Sequence, residues 1–290
     1  MTPAAKPPEP EPGNTHVIRR ILVALDASPH SREALEAAVE LAVRYRAELL
    51  GLFVEDANLL RLAELPFTRE VGLSSGMPRR LDALQLEQSL RAQVRLIEKL
   101  LRQSLRHGQI AGSLRVVRGR IVTELLVAAR DADLVVLGRG GNPHRRIIGS
   151  NLRQVLESTL ETPLLVGRKA PPGRPVLVLF DGGEPAYRAL AAALQLARRE
   201  RDGLVVLIPR VGGAEAESLR ELAGRWLEQQ GAQARFLFIQ GASPEMLQRA
   251  VETEQGRILV THAPTRGMSS DLDLTEHLLG GLSCSLLLIR

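Results

Sequence analysis

Ile21-Leu22-Val23-Ala24-Leu25-Asp26 returns 155 positions later as Val176-Leu177-Val178-Leu179-Phe180-Asp181, a short apolar run that ends in aspartate both times. The register holds through Ala34-Leu35, which meets Ala189-Leu190, as far as Leu49-Leu50, which meets Leu204-Val205. Further on, Val116-Val117-Arg118-Gly119 matches Phe238-Ile239-Gln240-Gly241 at an offset of 122, and Asp133-Leu134-Val135-Val136 matches Arg257-Ile258-Leu259-Val260 at 124. A repeat of this period means two units built on one plan. The fall from 155 to 122 puts extra residues between the second and third apolar runs of the first half, where Pro66, Gly72, Gly76 and Pro78 predict a long loop over 56–81. The expected organisation is a Pro-rich disordered tail at 1–16, a first domain at 17–168, a linker at 169–175 around Pro171-Pro172-Gly173, and a second domain at 176–290.

Each half alternates short apolar runs with amphipathic stretches, the signature of βαβ units. Predicted strands are Ile21 to Leu25, Leu49 to Val54, Leu114 to Arg118, Leu134 to Leu137 and Leu164 to Val166 in the first half. In the second they are Val176 to Phe180, Leu204 to Ile208, Arg235 to Ile239, Ile258 to Thr261 and Leu286 to Ile289. Continuous apolar runs of this length suit a parallel sheet buried on both faces. Between strands, Ser28 or Ser31 can cap a helix carrying the stripe Ala34, Leu35, Ala38, Leu41, Ala42, and a longer helix between Asp82 and His107 repeats Leu90, Val94, Ile97, Leu101 and Leu105. The fold class is therefore α/β, two tandem five-stranded parallel-sheet sandwiches.

Composition narrows the function. With 44% hydrophobic and 24% charged residues and a mean hydropathy of −0.02, the chain of 290 residues reads as globular. No apolar run approaches the length of a membrane span, and the Pro-rich start lacks the apolar core of a secretory signal, so a cytoplasmic location and no membrane partner are expected. The single cysteine, Cys284, excludes a disulfide framework. The net charge of +5 sits in the first half: residues 1–169 carry 25 basic and 19 acidic side chains, residues 170–290 carry 13 and 14. With aromatics at only 3%, nucleic acid is a minor reading.

Ligands of open parallel sheets sit at the carboxyl ends of strands where the strand order reverses, so the loops after strands one and four matter most. After strand one comes Asp26, able to accept hydrogen bonds from an adenine amine or a ribose hydroxyl, or to do no more than cap the following helix. After strand four comes Gly138-Arg139-Gly140-Gly141-Asn142-Pro143-His144-Arg145-Arg146-Ile147-Ile148-Gly149-Ser150-Asn151, a glycine-rich loop entering a helix. Glycines admit phosphate oxygens close to the backbone, and the free amides of a helix start supply donors, with Ser150 and Asn151 adding side-chain donors. A plain turn with Ser150 as helix cap is the alternative.

With those residues in place, the chain from about His16 onward resembles the universal stress proteins in a tandem-domain form. The nucleotide-binding members of that family carry an aspartate after strand one and a Gly-x2-Gly-x9-Gly-Ser/Thr loop after strand four; here Asp26 and Gly138, Gly141, Gly149 and Ser150 look like those positions, with seven residues between Gly141 and Gly149. The resemblance implies Rossmann-like sheets of the adenine nucleotide alpha hydrolase type, strand order 3-2-1-4-5. It also implies Ala24 and Val54 along an adenine, ATP or another adenine nucleotide as ligand with Mg as companion ion, and a regulatory rather than catalytic role. The expected site is Ala24, Asp26, Val54, Gly138, Gly141, Gly149, Ser150 and Asn151.

The second half keeps Asp181 but has Thr261-His262-Ala263-Pro264-Thr265 where the first glycines would be, so one site per chain is expected. No metal site is expected, because the six histidines show no ligand spacing, and each reads as a surface or loop residue. No general base or Ser-His-Asp order stands out, so no catalytic residue is named, although slow ATP hydrolysis or autophosphorylation remains compatible with the site. Expected partners are the nucleotide, an unidentified protein and the second domain itself in an intramolecular pseudo-dimer through the last strands, with self-association as an option. A nucleotide-free interaction module using the 56–81 insert is the alternative function, and an ATP-consuming α/β enzyme a third.

Overall fold

The computed structural model describes residues 18–65, 67–71, 78–80, 82–139, 150–158, 162–167, 173–200, 203–210, 213–241, 243–263 and 269–289. The chain divides into two compact units, Arg19–Gly138 and Arg139–Arg290. This division falls before the helix and strand that end the first sequence repeat, not at 169–175. The expected tail at 1–16 and most of the linker lie outside the described residues.

In the unit 19–138 the order is β1 (Arg20–Ala24), α1 (Pro29–Tyr45), β2 (Glu48–Asp56), α2 (Ala57–Glu64), β3 (Arg69–Val71), β4 (Pro78–Arg80), α3 (Ala83–Gly108), β5 (Gly112–Gly119), α4 (Ile121–Ala129) and β6 (Leu134–Leu137). β1 pairs in parallel with both β2 and β6, and β2 with β5, so the order is 3-2-1-4 in the numbering of the repeat. Strand β1 is central because Ile21, Leu22 and Val23 are all fully buried, and no polar residue interrupts them. Helix α1 lays its small, apolar face of Ala34, Leu35, Ala38, Leu41 and Ala42 on the sheet, and all five are buried, as their spacing predicts. Right-handed crossovers put α1 and α3 on one face of this sheet and α4 on the other. The segment 56–81, read from sequence as a long loop, is partly regular: α2 packs on α3, and β3 and β4 pair as an antiparallel hairpin.

In the unit 139–290 the order is α5 (Ser150–Glu157), β7 (Leu164–Val166), β8 (Val176–Leu179), α6 (Glu184–Glu200), β9 (Leu204–Pro209), α7 (Gly213–Gln229), β10 (Arg235–Ile239), α8 (Pro244–Glu254), β11 (Ile258–His262), α9 (Ser269–Gly281) and β12 (Ser285–Ile289). The five parallel strands β10-β9-β8-β11-β12 reproduce the order 3-2-1-4-5. β7 then adds to β12 antiparallel, Leu286 opposite Val166 and Leu288 opposite Leu164. All ten strands expected from the apolar runs are present. Trp226 is buried beside Tyr187, whose ring stands edge-on to Phe180 at 5.0 Å, so the one tryptophan serves packing. Cys284 is buried as well. No helix among the described residues is long and apolar enough to cross a membrane.

Candidate functional site

The switch point of the unit 19–138 lies between β1 and β6, where the chain stops adding strands on one side of β1 and starts on the other. Asp26 stands two residues past β1, after Leu25. Its Oδ1 accepts the backbone N–H of Ser28 at 2.8 Å, while its own N–H donates to Ser31 Oγ at 2.9 Å, and Ser28 Oγ accepts the N–H of Ser31 at 3.2 Å. Ser28 is the N-cap of α1, with Pro29 in the first turn. One carboxylate oxygen of Asp26 thus shapes the helix start, and the other has no hydrogen bond among the described residues. The side chain is exposed. Asp26 stands at the rim of a small cleft floored by Leu25, Leu35 and Ile97. That cleft has room for about one water, so a larger ligand would lie over the strand ends.

Gly138 follows β6. A Cβ there would lie 2.7 Å from the carbonyl oxygen of His30 and 3.1 Å from the amide of Ser31, both at the start of α1. Its backbone is not in the left-handed region, so close approach and not positive φ requires glycine here. Ser31 therefore joins the two loops: its hydroxyl holds the Asp26 amide and its backbone abuts Gly138. Ala24 and Val54, at the ends of β1 and β2, are half-buried in the same unit. Gly141 and Gly149 lie outside the described residues, as do Arg145 and Arg146. Ser150 begins α5 and Asn151, exposed in its first turn, follows; both belong to the unit 139–290. Arg139, the residue after Gly138, donates from Nη2 to the carbonyl of Leu282 at 2.8 Å.

The second switch point, between β8 and β11, repeats the geometry with one change. Asp181 Oδ1 accepts the N–H of Gly183 at 3.1 Å, as Asp26 does from Ser28, and Gly182 takes a left-handed φ of 86° to make that turn. The other oxygen, Oδ2, lies 3.2 Å from His262 Nε2, and His262 Nδ1 lies 3.2 Å from the carbonyl oxygen of Ala263. Both partners can only accept, so the arrangement suits a ring that donates through both nitrogens. The hydrogen bond from His262 holds the Asp181 carboxyl below the usual carboxylate range, against the opposing effect of burial. His262, read from sequence as a surface or loop residue, ends β11 half-buried with its ring on Asp181, a pairing that this reading did not contain. The signal was available: the offset of 124 that aligns Asp133 with Arg257, carried five residues on, places Gly138 on His262. Among the described residues no three His, Cys, Asp or Glu side chains group together as metal ligands.

The chain shares its fold with a universal stress protein from Archaeoglobus fulgidus DSM 4304, at a TM-score of 0.71 and 16% identity over 93% of this chain and 98% of that one. A functionally unknown protein from Pseudomonas aeruginosa PAO1 superposes with a TM-score of 0.62, again at 16% identity, over 94% of this chain and 93% of that one. No curated protein matches in sequence. The sequence model of the universal stress protein family matches residues 18–166, which include both β1 with Asp26 and β6 with the loop after it. With more than half its residues inside that match, the chain belongs to the universal stress protein family.

Proposed function

We propose that the protein binds one adenine nucleotide per chain, ATP foremost, at the first switch point and acts as a regulatory protein and not as an enzyme. The observation that carries this reading is the Asp26 carboxylate, fixed through one oxygen by Ser28 and open at the other, joined through Ser31 to the glycine that follows β6. A carboxylate held this way accepts from an amine or a sugar hydroxyl without ordering cost at binding. Ala24 and Val54 supply the apolar contacts to the base. Gly138, Gly141, Gly149, Ser150 and Asn151 are the phosphate-side residues by their sequence pattern, with Mg as the companion of a triphosphate. Residues 17–168 form the nucleotide-binding copy of the repeat and 176–290 a degenerate copy. The antiparallel pairing of β7 with β12, the two last strands of the copies, supports an intramolecular pseudo-dimer.

Mass spectrometry of small molecules released from the freshly purified, denatured protein tests the ligand, and equilibrium dialysis at saturating ATP tests the count. Release of an adenine nucleotide and a stoichiometry near one are the expected results. No nucleotide and no saturable binding of ATP, ADP or AMP would assign the chain to nucleotide-free interaction instead.

A further inference from the structure

We propose that the outward face of α3, together with the apolar side chains at its N-terminal end, docks on an anionic lipid membrane. Arg91, Arg95, Lys99, Arg102 and Arg106 follow one another at steps of four, four, three and four along this helix. At 100° per residue they fall within an arc of about 80°, over a length of roughly 22 Å. All five are exposed. The opposite face carries Leu90, Ile97 and Leu101 and is buried in the protein, so the helix cannot turn the stripe inward. Arg91 and Arg102 each pair with the glutamate four residues before them, Glu87 and Glu98. Among the described residues Arg95, Lys99 and Arg106 have no ion pair, which leaves the stripe a net positive charge of three.

A second observation concerns apolar surface at the same end. Leu84 projects from the first turn of α3 in line with the basic stripe and is 66% exposed. Phe67 is 90% exposed and Leu65 is 52% exposed, just before the hairpin that leads into α3. Leu62, one turn back on α2, is also exposed, and α2 packs on α3. Large apolar side chains grouped on a surface mark a binding face. A nucleic acid would answer the cations but give the leucines nothing, and the convex face of one helix offers no groove for a strand. An anionic bilayer answers both, with its phosphate plane against the basic stripe and its acyl boundary below Phe67, Leu65 and Leu84. The expectation of no membrane partner rested on the lack of a spanning segment, and surface attachment needs none.

Co-sedimentation of the full chain with vesicles of phosphatidylcholine containing about 30% phosphatidylserine is the test, set against pure phosphatidylcholine and against a duplex oligonucleotide. The wild type should partition to the anionic vesicles only, and release as salt rises. The triple variant Arg95→Glu, Lys99→Glu, Arg106→Glu should lose at least about a hundredfold in partitioning, because removing each cation costs roughly fivefold near an anionic surface and each glutamate adds repulsion. The double variant Phe67→Ser, Leu84→Ser should lose severalfold while keeping the salt dependence. Circular dichroism checks that each variant folds, and if the charge reversal does not, Arg95→Gln with Lys99→Gln replaces it with a smaller loss expected. Equal partitioning to both vesicle types, unchanged partitioning of the charge variant, or binding to the duplex without binding to vesicles overturns the proposal. Nucleotide release from the purified protein is a separate measurement, so this inference and the nucleotide reading fail independently.

Discussion

Asp26 and Asp181 stand at the same place in the two sequence repeats, and the backbone treats them alike: each lies two residues past its strand, and each accepts the amide two residues on. They differ in what faces the remaining oxygen. At the first aspartate the residue after the neighbouring strand is Gly138, which brings no side chain and lets the start of α1 come within contact distance. At the second the aligned residue is His262, the last of β11, whose ring reaches Asp181 Oδ2 and satisfies it from within the protein. The comparison teaches that an aspartate kept at a switch point can be satisfied from within the protein. A carboxylate left at a strand end needs a partner, and a ligand, water or a neighbouring imidazole can serve.

The sharpest way to break the comparison is at Gly138. Gly138→Val should destabilise the protein by about 2 kcal/mol, because the new Cβ meets the backbone of His30, which cannot swing aside as a side chain would. Nucleotide affinity should fall with it, and denaturant titration alongside calorimetry reads both. A variant as stable as wild type would show that the close approach of the two loops is not what the glycine serves. Next in size is Asp26→Asn, which keeps an oxygen for the Ser28 amide and removes the charge. Affinity for ATP should drop on the order of tenfold with the melting temperature almost unchanged. The matching change Asp181→Asn should leave ATP affinity where it was, and an equal loss from both would dissolve the distinction between the two switch points.

The smallest effect is on stability, at Asp181. Its carboxyl is held below the usual range in the folded protein, chiefly by His262, so ionised Asp181 contributes stability above the carboxyl's unfolded value and loses it as pH falls through the depressed one. Both side chains are partly exposed, at 45% for Asp181 and 29% for His262, so the pair is worth less than about 1 kcal/mol. Urea unfolding should find Asp181→Asn less stable than wild type by that small margin at pH 6, with the gap closing in acid. A gap that widens in acid would contradict the assigned cause.

Much of the fold was legible before any coordinates, because strands buried on both faces must be apolar throughout, and Val176 to Phe180 or Leu134 to Leu137 have no other reading in a globular chain. The N-cap at Ser28 and the long helix after Asp82 are equally local, since a cap and an apolar period of 3.6 act within one or two turns. The hairpin of β3 and β4 was not legible, as three-residue strands such as Arg69–Val71 and Pro78–Arg80 carry no periodicity to read. The last strands were expected at the edge between the two copies, but the antiparallel sense of β7 on β12 was not legible, because an apolar edge strand reads the same in either direction.

By itself, then, the sequence determined the repeat, the ten strands, the family and the aspartate at each switch point. Tertiary structure alone decided which aspartate is spent. Asp181 and His262 stand 81 residues apart, and Gly138 lies more than 100 residues from His30. Nothing local in the chain marks either pair. They meet because β8 and β11, like β1 and β6, are neighbours in a parallel sheet, and a parallel sheet joins its neighbours only through crossovers long enough to erase any local signal.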